Sequence, residues 1–322
     1  MDFLDRFIEK AKNSYKKVVF PEGEEERIIQ ASFQIQKEGI ANPVLLGKRE
    51  VILSKAKNIN IDISGVEIIE PESSSYTAEL AELYIKKRDN VSISIARHLL
   101  KKELVFGGML VSSGKVDAMV AGAINTTANV IRAASLTVGF QPGISTISSF
   151  FIMVLPDGKI LFYADCAVNI DPTSEQLADI GIVTAKNFKK IIGEEPKVAF
   201  LSFSTKGSAS HPFVEKVTRA VKIAKEKASE FLIDGEFQAD TALVEGVAAK
   251  KVKEPSSVAG KANVLIFPDL NSGNISYKLT QYLANAQAYG PILQGFAKPV
   301  SDLSRGAKVK DIIGVTAILC NQ

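Results

Sequence analysis

Strand-like and helix-like stretches alternate along the chain and predict an α/β protein of two domains with mostly parallel sheets. Three observations carry this. Short apolar runs are separated by segments with apolar residues at helical spacing, the pattern of strands joined by helices on both sheet faces. The length of 322 residues exceeds one ordinary core, at a prior of roughly 150 residues per domain. The texture then changes after Gly139, where two β-rich stretches flank Pro156-Asp157-Gly158. That is a hairpin signal interrupting the parallel pattern.

In chain order, Met1 to Ser14 is acidic and basic by turns and reads as an amphipathic helix, not a leader. Lys17 to Pro21 (KVVFP), Pro43 to Leu46 (PVLL), Val66 to Glu70 (VEIIE) and Val116 to Val120 (VDAMV) are strands, with helices over Glu24 to Lys37 and Tyr76 to Arg88 between them. Gly107-Gly108 reads as close helix packing. After the hairpin come a helix (Ser174 to Gly193), a strand (Val198 to Ser202), a basic helix (Val214 to Phe231), the polar Asp234-Gly235-Glu236, another helix and the strand Val264 to Pro268 (VLIFP). A short last helix, Val309 to Leu319, is apolar on one side and returns to the first domain. Domain I is therefore 1–139 with 297–322, domain II is 140–296, and the site is expected in the cleft between them.

Composition excludes several classes. Thirty-nine basic and 36 acidic side chains leave a net charge of +3 with no basic block, which argues against nucleic acid. Cys166 and Cys320, His98 and His211 show no paired spacing, so neither a disulfide framework nor a metal site is expected. No apolar run is long enough to span a bilayer. A cytoplasmic, reduced protein is the expectation.

The segment GPILQGFAKPVSDLSRGAKVKD, Gly290 to Asp311, crowds Lys298, Ser301, Ser304, Arg305 and Asp311 between Gly and Pro breaks. Hydroxyl donors, a guanidinium fork and a carboxylate suit an oxyanion substrate and proton transfer, although the pattern also fits a polar loop entering the last helix.

Three strand-to-helix junctions look able to hold anions. In VDAMVAGAINTTANVIRAASL, Asn125, Thr126 and Thr127 open a helix after Gly122, with Arg132 further along. Free amides at a helix start favour phosphate, and a plain N-cap with a solvated Arg132 is the alternative. In VAFLSFSTKGSASHPF, Ser202, Ser204, Thr205, Gly207 and Ser208 suit a backbone nest but lack P-loop spacing. His211, directly before Pro212, reads as a helix-entry residue, not a base. In VLIFPDLNSGNISYKLTQYL, Asp269 caps a turn. No G-x-G-x-x-G follows a strand, so a conventional dinucleotide fold is not expected.

The strings VDAMVAGAINTTANVIRA, ADCAVN, LSFSTKGSA, DGEFQAD, ANVLIFPDLNSGNISYK, GPILQGFAKPVSDLSRG and the final Asp311-Ile312, in this order from PEGEEERI at Pro21 onward, resemble the phosphate acetyltransferase (phosphotransacetylase) family, within the phosphate acetyl/butyryltransferases. The resemblance implies reversible acyl transfer: acetyl-CoA plus phosphate gives acetyl phosphate plus CoA. It also implies a fold similar to the isocitrate and isopropylmalate dehydrogenases and a homodimer. CoA enters as substrate, and no tightly bound cofactor or essential metal is implied.

By the same resemblance, Asp311, Ser304 and Arg305 match the catalytic aspartate and the SRG motif, and Arg132 a substrate-binding arginine. The expected phosphate- and substrate-binding set is Thr126, Thr127, Arg132, Ser204, Thr205, Gly207, Tyr289 and Gln294. Family members often carry Arg in an L-R-K-H-K-G segment thought to contact CoA. Here the stretch is YIKKRDN, with Lys86 or Arg88 the nearest counterpart beside Arg132. Lys keeps the charge and loses the fork.

A thiol with a pKa near ~8.5 and an aspartate near ~3.9 are mismatched by over 4 units, about 6 kcal/mol. Asp311 therefore needs a raised pKa, with Val309, Ile312 and Ile313 as the desolvating neighbours, or shares the proton only in the transition state. Its alternative role is to favour the start of the last helix. A covalent route through Cys166 is a rival, without a histidine base nearby in ADCAVN. Phosphate butyryltransferase and a non-catalytic acetyl-CoA-binding module are the alternative functions, and a decarboxylating dehydrogenase rests on fold analogy alone.

Overall fold

The computed structural model describes residues 3–88 and 91–322. Met1 and Asp2 of the expected first helix, and Asp89 and Asn90 of the YIKKRDN stretch, lie outside the described residues. The chain divides into two compact units: residues up to Pro142 together with Phe296–Gln322, and Gly143–Gly295.

Unit 1 contains α1 (Phe3–Lys12), β1 (Lys17–Phe20), α2 (Glu26–Lys37), β2 (Asn42–Leu46), α3 (Arg49–Asn58), β3 (Glu67–Ile69), α4 (Thr77–Lys86), α5 (Ile93–Leu99), α6 (Glu103–Ser113), β4 (Ala118–Ala121) and α7 (Thr127–Thr137). Its strands are short apolar runs, and Val18, Val19, Phe20, Leu45, Leu46 and Val120 are fully or almost fully buried. That suits parallel strands covered on both faces. Gly108 of α6 allows the helix pair to close, since a Cβ there would sit 2.1 Å from Thr137 Oγ1 of α7.

Unit 2 runs β5 (Ser148–Val154), β6 (Ile160–Ala164), α8 (Ser174–Ile192), β7 (Lys197–Leu201), α9 (Pro212–Lys227), β8 (Leu232–Phe237), α10 (Ala239–Leu243), α11 (Glu245–Lys251), β9 (Val264–Ile266), α12 (Leu270–Leu283) and β10 (Gln287–Gln294). The chain then returns to unit 1 as β11 (Val300–Asp302) and α13 (Val309–Cys320). Among the described residues the unit 2 sheet has the order β10-β5-β6-β9-β7-β8. β5 pairs antiparallel with β6, as the Pro156-Asp157-Gly158 signal predicts, and β10 pairs antiparallel with β5. The remaining pairs are parallel.

Two elements depart from the sequence reading. Gly290 to Gln294, read as loop, lies in β10, at the edge of its sheet. An edge strand tolerates proline, and the ladder slips between Tyr289 and Ile292, around Gly290-Pro291. Asp234-Gly235-Glu236, to which the sequence assigns no element, lies in strand β8. Its two buried carboxylates are satisfied from outside the strand, Asp234 by Lys206, Lys225 and Ser256 and Glu236 by Ser204, Gly207 and Thr218.

The unit 1 sheet has the order β11-β4-β1-β2-β3, every pair parallel. The chain builds outward from β1 to β2 and β3, then crosses to the other side of β1 for β4 and later β11. The β1/β4 boundary is thus a topological switch point, and the crevice beyond its strand ends is where open α/β sheets take ligands.

Candidate active site

Immediately past those strand ends the sequence supplies Pro21-Glu22 after β1 and Gly122-Ala123-Ile124-Asn125 after β4. Gly122 has φ +109°, and a Cβ on it would lie 2.3 Å from Asp302 Oδ1 and 2.6 Å from the Leu303 nitrogen. Only glycine lets this loop close over the end of β11. Thr126 is the N-cap of α7, its hydroxyl accepting the Asn129 amide at 3.3 Å.

The amides of this loop already hold an anion, and it comes from the chain. Glu22 Oε2 accepts the amides of Gly122 and Ala123 at 2.9 and 2.7 Å. Its Oε1 accepts those of Ile124 and Asn125 at 3.1 and 2.7 Å, with Asn125 Nδ2 at 2.9 Å. Glu22 thus occupies the loop before the helix, and of the expected Asn125-Thr126-Thr127 set it takes only the Asn125 amide and side chain. Thr127 is committed too: its hydroxyl donates to Asp302 Oδ2 at 2.5 Å. Burial raises the Asp302 carboxyl to about 6; the Thr127 hydrogen bond opposes this and the nearby Glu22 charge adds to it.

A cavity of about 720 Å³ opens at this end of the sheet, walled by Pro21, Glu22, Lys102, Ile124, Asn125 and Arg132 among others. It is large enough for an extended small molecule. Among the described residues no carboxylate forms an ion pair with Arg132. Ser304, Arg305 and Asp311 do not line this cavity. They stand exposed on the loop after β11 and on the first turn of α13.

That loop is joined to the β4 loop by Arg27 of α2. Its Nη1 donates to the carbonyls of Arg305 and Ala307, each at 2.8 Å, and its Nη2 to that of Ala123 at 3.1 Å. Ser304 Oγ accepts the Gly306 amide at 3.3 Å. Asp311 is at N3 of α13, and its Oδ2 accepts the Lys308 amide at 2.8 Å, one arm of a capping box whose other arm Lys308, a donor-only side chain, cannot supply. The apolar surround expected from its neighbours is not formed, because Ile312 and Ile313 turn into the core while Asp311 faces outward. The helix-capping role is realised, and one carboxylate oxygen stays clear of the cap.

The other predicted residues fall as follows. Lys86 is exposed. Arg88, expected to meet CoA, donates to the Ser135 and Leu136 carbonyls at 2.6 and 3.3 Å, spending its fork on the end of α7. Its neighbour Lys87 is the residue the sequence reading passed over. Lys87 Nζ bonds the Ser112 hydroxyl, and its pKa is lowered by burial, with the Lys298 and Arg88 charges adding to the effect. Three cations crowd there.

Ser204, Thr205, Gly207, Tyr289 and Gln294 belong to unit 2. The nest expected at Ser204-Thr205-Gly207 is filled from inside as well, since Glu236 Oε1 takes the Gly207 amide at 2.7 Å and the Ser204 hydroxyl at 3.0 Å. Thr205 Oγ1 accepts the Gln238 amide at 2.9 Å. Gln294 is buried, its Nε2 donating to Thr184 and Ser148 at 2.8 and 3.0 Å and its Oε1 accepting from Asn187 at 3.0 Å. It is a saturated core network, not an open ligand contact. Tyr289 donates its hydroxyl to Gln287 at 2.7 Å. His211 caps α9 as expected, its Nδ1 accepting the Phe213 amide at 3.2 Å. Cys166 is fully buried, and burial, with Asp165 beside it, holds its thiol well above the ordinary range.

The fold is a two-unit α/β architecture with a hydroxyl, a guanidinium and a carboxylate exposed on the loop after the last strand of a parallel sheet and on the helix that follows. The family model for phosphate acetyl/butaryl transferase matches residues 2–320. A phosphate acetyltransferase of Acetivibrio thermocellus is 47% identical over 329 aligned residues, covering 100% of this chain and 98% of that protein. The crystal structure of a phosphotransacetylase from Streptococcus pyogenes superposes with a TM-score of 0.94 at 39% identity, covering 100% of this chain and 98% of that one. At the level of fold alone, a 4-hydroxythreonine-4-phosphate dehydrogenase from Burkholderia phymatum matches with a TM-score of 0.57 at 11% identity, covering 94% and 98%. The chain belongs to the phosphate acetyl/butaryl transferase family, and it is an acyltransferase.

Proposed function

We propose that this chain catalyses the reversible transfer of an acetyl group between CoA and inorganic phosphate, with both partners as substrates and no tightly bound cofactor. The observation that supports this best is the placement of Ser304, Arg305 and Asp311 on one exposed stretch after β11, tied by Arg27 to the loop that opens α7. Full-length relatives that are phosphate acetyltransferases support the substrate pair.

In the acetyl-CoA-forming direction, the Asp311 carboxylate shares the thiol proton of CoA in the transition state, through the oxygen that does not cap α13. The sulfur attacks the acetyl carbonyl carbon, and charge develops on the carbonyl oxygen. The Ser304 hydroxyl donates to that oxygen, and a donor of this kind is worth ~10² to 10³ in rate. The tetrahedral species collapses with cleavage of the carbon–oxygen bond to phosphate, which leaves as an anion held by the Arg305 fork. No acyl-enzyme is required. Arg132 and the cation group around Lys87 suit the phosphates of CoA, with Lys298 and Arg88 adjoining.

The same reading makes the protein a cytoplasmic homodimer without nucleic-acid or membrane partners. Among the described residues no helix is long and apolar enough to cross a membrane, and Cys166 and Cys320 are both unpaired thiols. Ile275, Leu279, Tyr282 and Leu283 stand exposed along α12 at helical spacing. Such a stripe suits a second copy.

The experiment is to mix the purified chain with CoA and acetyl phosphate, without added metal, and to follow thioester formation in the ultraviolet beside Asp311→Asn. Turnover that collapses in the variant supports both the reaction and the base. A chain that binds acetyl-CoA without turnover overturns the proposal. Equal rates would keep the reaction and remove Asp311 as its base.

A further inference from the structure

We propose that Arg27 is a positioning residue for the reaction, holding the Ser304–Ala307 loop at a fixed distance from the loop that opens α7. The inference rests on the reading that Ser304 and Arg305 act on the substrates.

The geometry is that of a clamp. Arg27 leaves the first turn of α2, and its guanidinium is bonded along three edges. Nε–H donates to Glu25 Oε1 at 2.6 Å, fixing the plane of the fork. Nη1 donates to the carbonyls of Arg305 and Ala307, both at 2.8 Å, and so spans the Gly306 turn. Nη2 donates to the Ala123 carbonyl at 3.1 Å. A planar group with donors at set angles can tie three carbonyls in one geometry, which an ammonium on a flexible stem cannot. The carbonyl of Arg305 belongs to the residue expected to hold the phosphate.

The two loops depend on this to unequal degrees. The Gly122–Asn125 loop has Glu22 as a second holder, gripping four amides. The loop after β11 has less. Its Ala307 amide bonds the Ser304 carbonyl and its Gly306 amide bonds the Ser304 hydroxyl, both inside the turn. Among the hydrogen bonds of the described residues, those from Arg27 are what anchor Arg305 and Ala307 to another part of the fold. Leu303 and Ala307 are buried and pin the ends of the loop, but Ser304, Arg305 and Gly306 between them are exposed, so no core packing fixes the span that carries the reacting side chains.

Releasing the clamp leaves the core intact and lets the reacting groups scatter. Misplacement by about 1 Å can cost ~10² in rate. The expected result for Arg27→Ala is a fall in kcat of about 10- to 100-fold, with a KM for CoA changed far less and the melting temperature lowered by only a few degrees. Arg27→Lys, which keeps the charge beside Glu25, restores little. Methylguanidine added to the alanine variant restores part of kcat.

The test is a kinetic double-mutant cycle of Arg27→Ala with the combined Ser304→Ala/Arg305→Ala background. If Arg27 acts through this loop, its removal costs little once both reacting side chains are gone. A full and additive loss on that background overturns the proposal, as does an Arg27→Ala enzyme with wild-type kcat. If the alanine variant fails to fold, the same cycle run with Arg27→Lys decides, and a wild-type kcat in that variant also counts against the clamp. Failure of the underlying reading looks different: Arg305→Ala itself would then turn over normally.

Discussion

Asp302 provides a pH-dependent test of how the end of β11 is built. The residue is buried, bonded to the Thr127 hydroxyl, and its carboxyl is raised to about 6 by burial against an ordinary value of 3.8, with Thr127 opposing and Glu22 adding to the rise. Between those values the folded chain binds a proton that the unfolded chain has released, so this group makes stability fall as pH rises. Its contribution is intact below about pH 4, declines through about pH 6 and is then constant. A displacement of roughly two units corresponds to about 3 kcal/mol. Asp302→Asn keeps the shape, still accepts from Thr127 and cannot ionise. Urea unfolding of both proteins from about pH 4 to pH 8 isolates the group, because every other carboxylate is common to the two. The variant should gain about 3 kcal/mol on the wild type across that interval and nothing further above about pH 7. Parallel curves, or a difference growing as pH falls, would refute the assignment of a buried, proton-holding carboxyl at this position.

Three more outcomes follow from the same geometry. Glu22→Gln replaces an acceptor oxygen by an NH₂ group facing amides within the Gly122–Asn125 loop, and should cost about 2–5 kcal/mol in chemical denaturation, at 1–3 kcal/mol per unsatisfied buried group. A loss under about 0.5 kcal/mol would show that the loop holds itself. Ser304→Ala should reduce kcat by ~10² to 10³ with the KM for CoA little changed, measured by initial rates of acetyl-CoA formation. Cys166→Ala should turn over within about twofold of the wild type, since a thiol that is buried and held protonated is no nucleophile, and an inactive variant with an unchanged melting profile would reopen the covalent route.

The legibility of this chain follows the range of its interactions. β1, β2, β4 and β9 announce themselves because a strand covered on both faces is a continuous apolar run. β8 and β10 do not, because Gly235 and Gly290-Pro291 carry turn chemistry and the partners that make a strand possible there are remote. Glu236 is satisfied by Gly207, 29 residues away, and β10 pairs with β5 across more than a hundred. Capping is local, so Thr126 and His211 were readable as caps. What satisfies a junction is not local. The Gly122–Asn125 and Ser204–Gly207 junctions have the amide-rich character that the sequence suggests, but Glu22 lies about a hundred residues before one and Glu236 about thirty after the other. Gln294 stands among the binding residues by resemblance alone, and in the fold it is buried with three side-chain partners.

The filled nests bear on how an anion is recognised here. A row of backbone amides holds a phosphate well, but Glu22 already takes four amides of the Gly122–Asn125 loop and Glu236 the Gly207 amide. On the function proposed above, recognition would fall to side chains that carry a full charge and have no carboxylate partner among the described residues, Arg305 beyond β11 and Arg132 in the cavity wall among them. Both are guanidiniums, with the planar fork that fits two oxygens of a phosphate. The internal carboxylates instead serve precision: Glu22 fixes the loop that leads into α7, Arg27 ties that loop to Arg305, and Thr127 locks the start of α7 onto Asp302. For a transfer between two anionic partners this division is physically sound. The amides of the Gly122–Asn125 loop are spent on Glu22, and the charge proposed to bind phosphate sits on side chains whose placement is set by the loops beneath them.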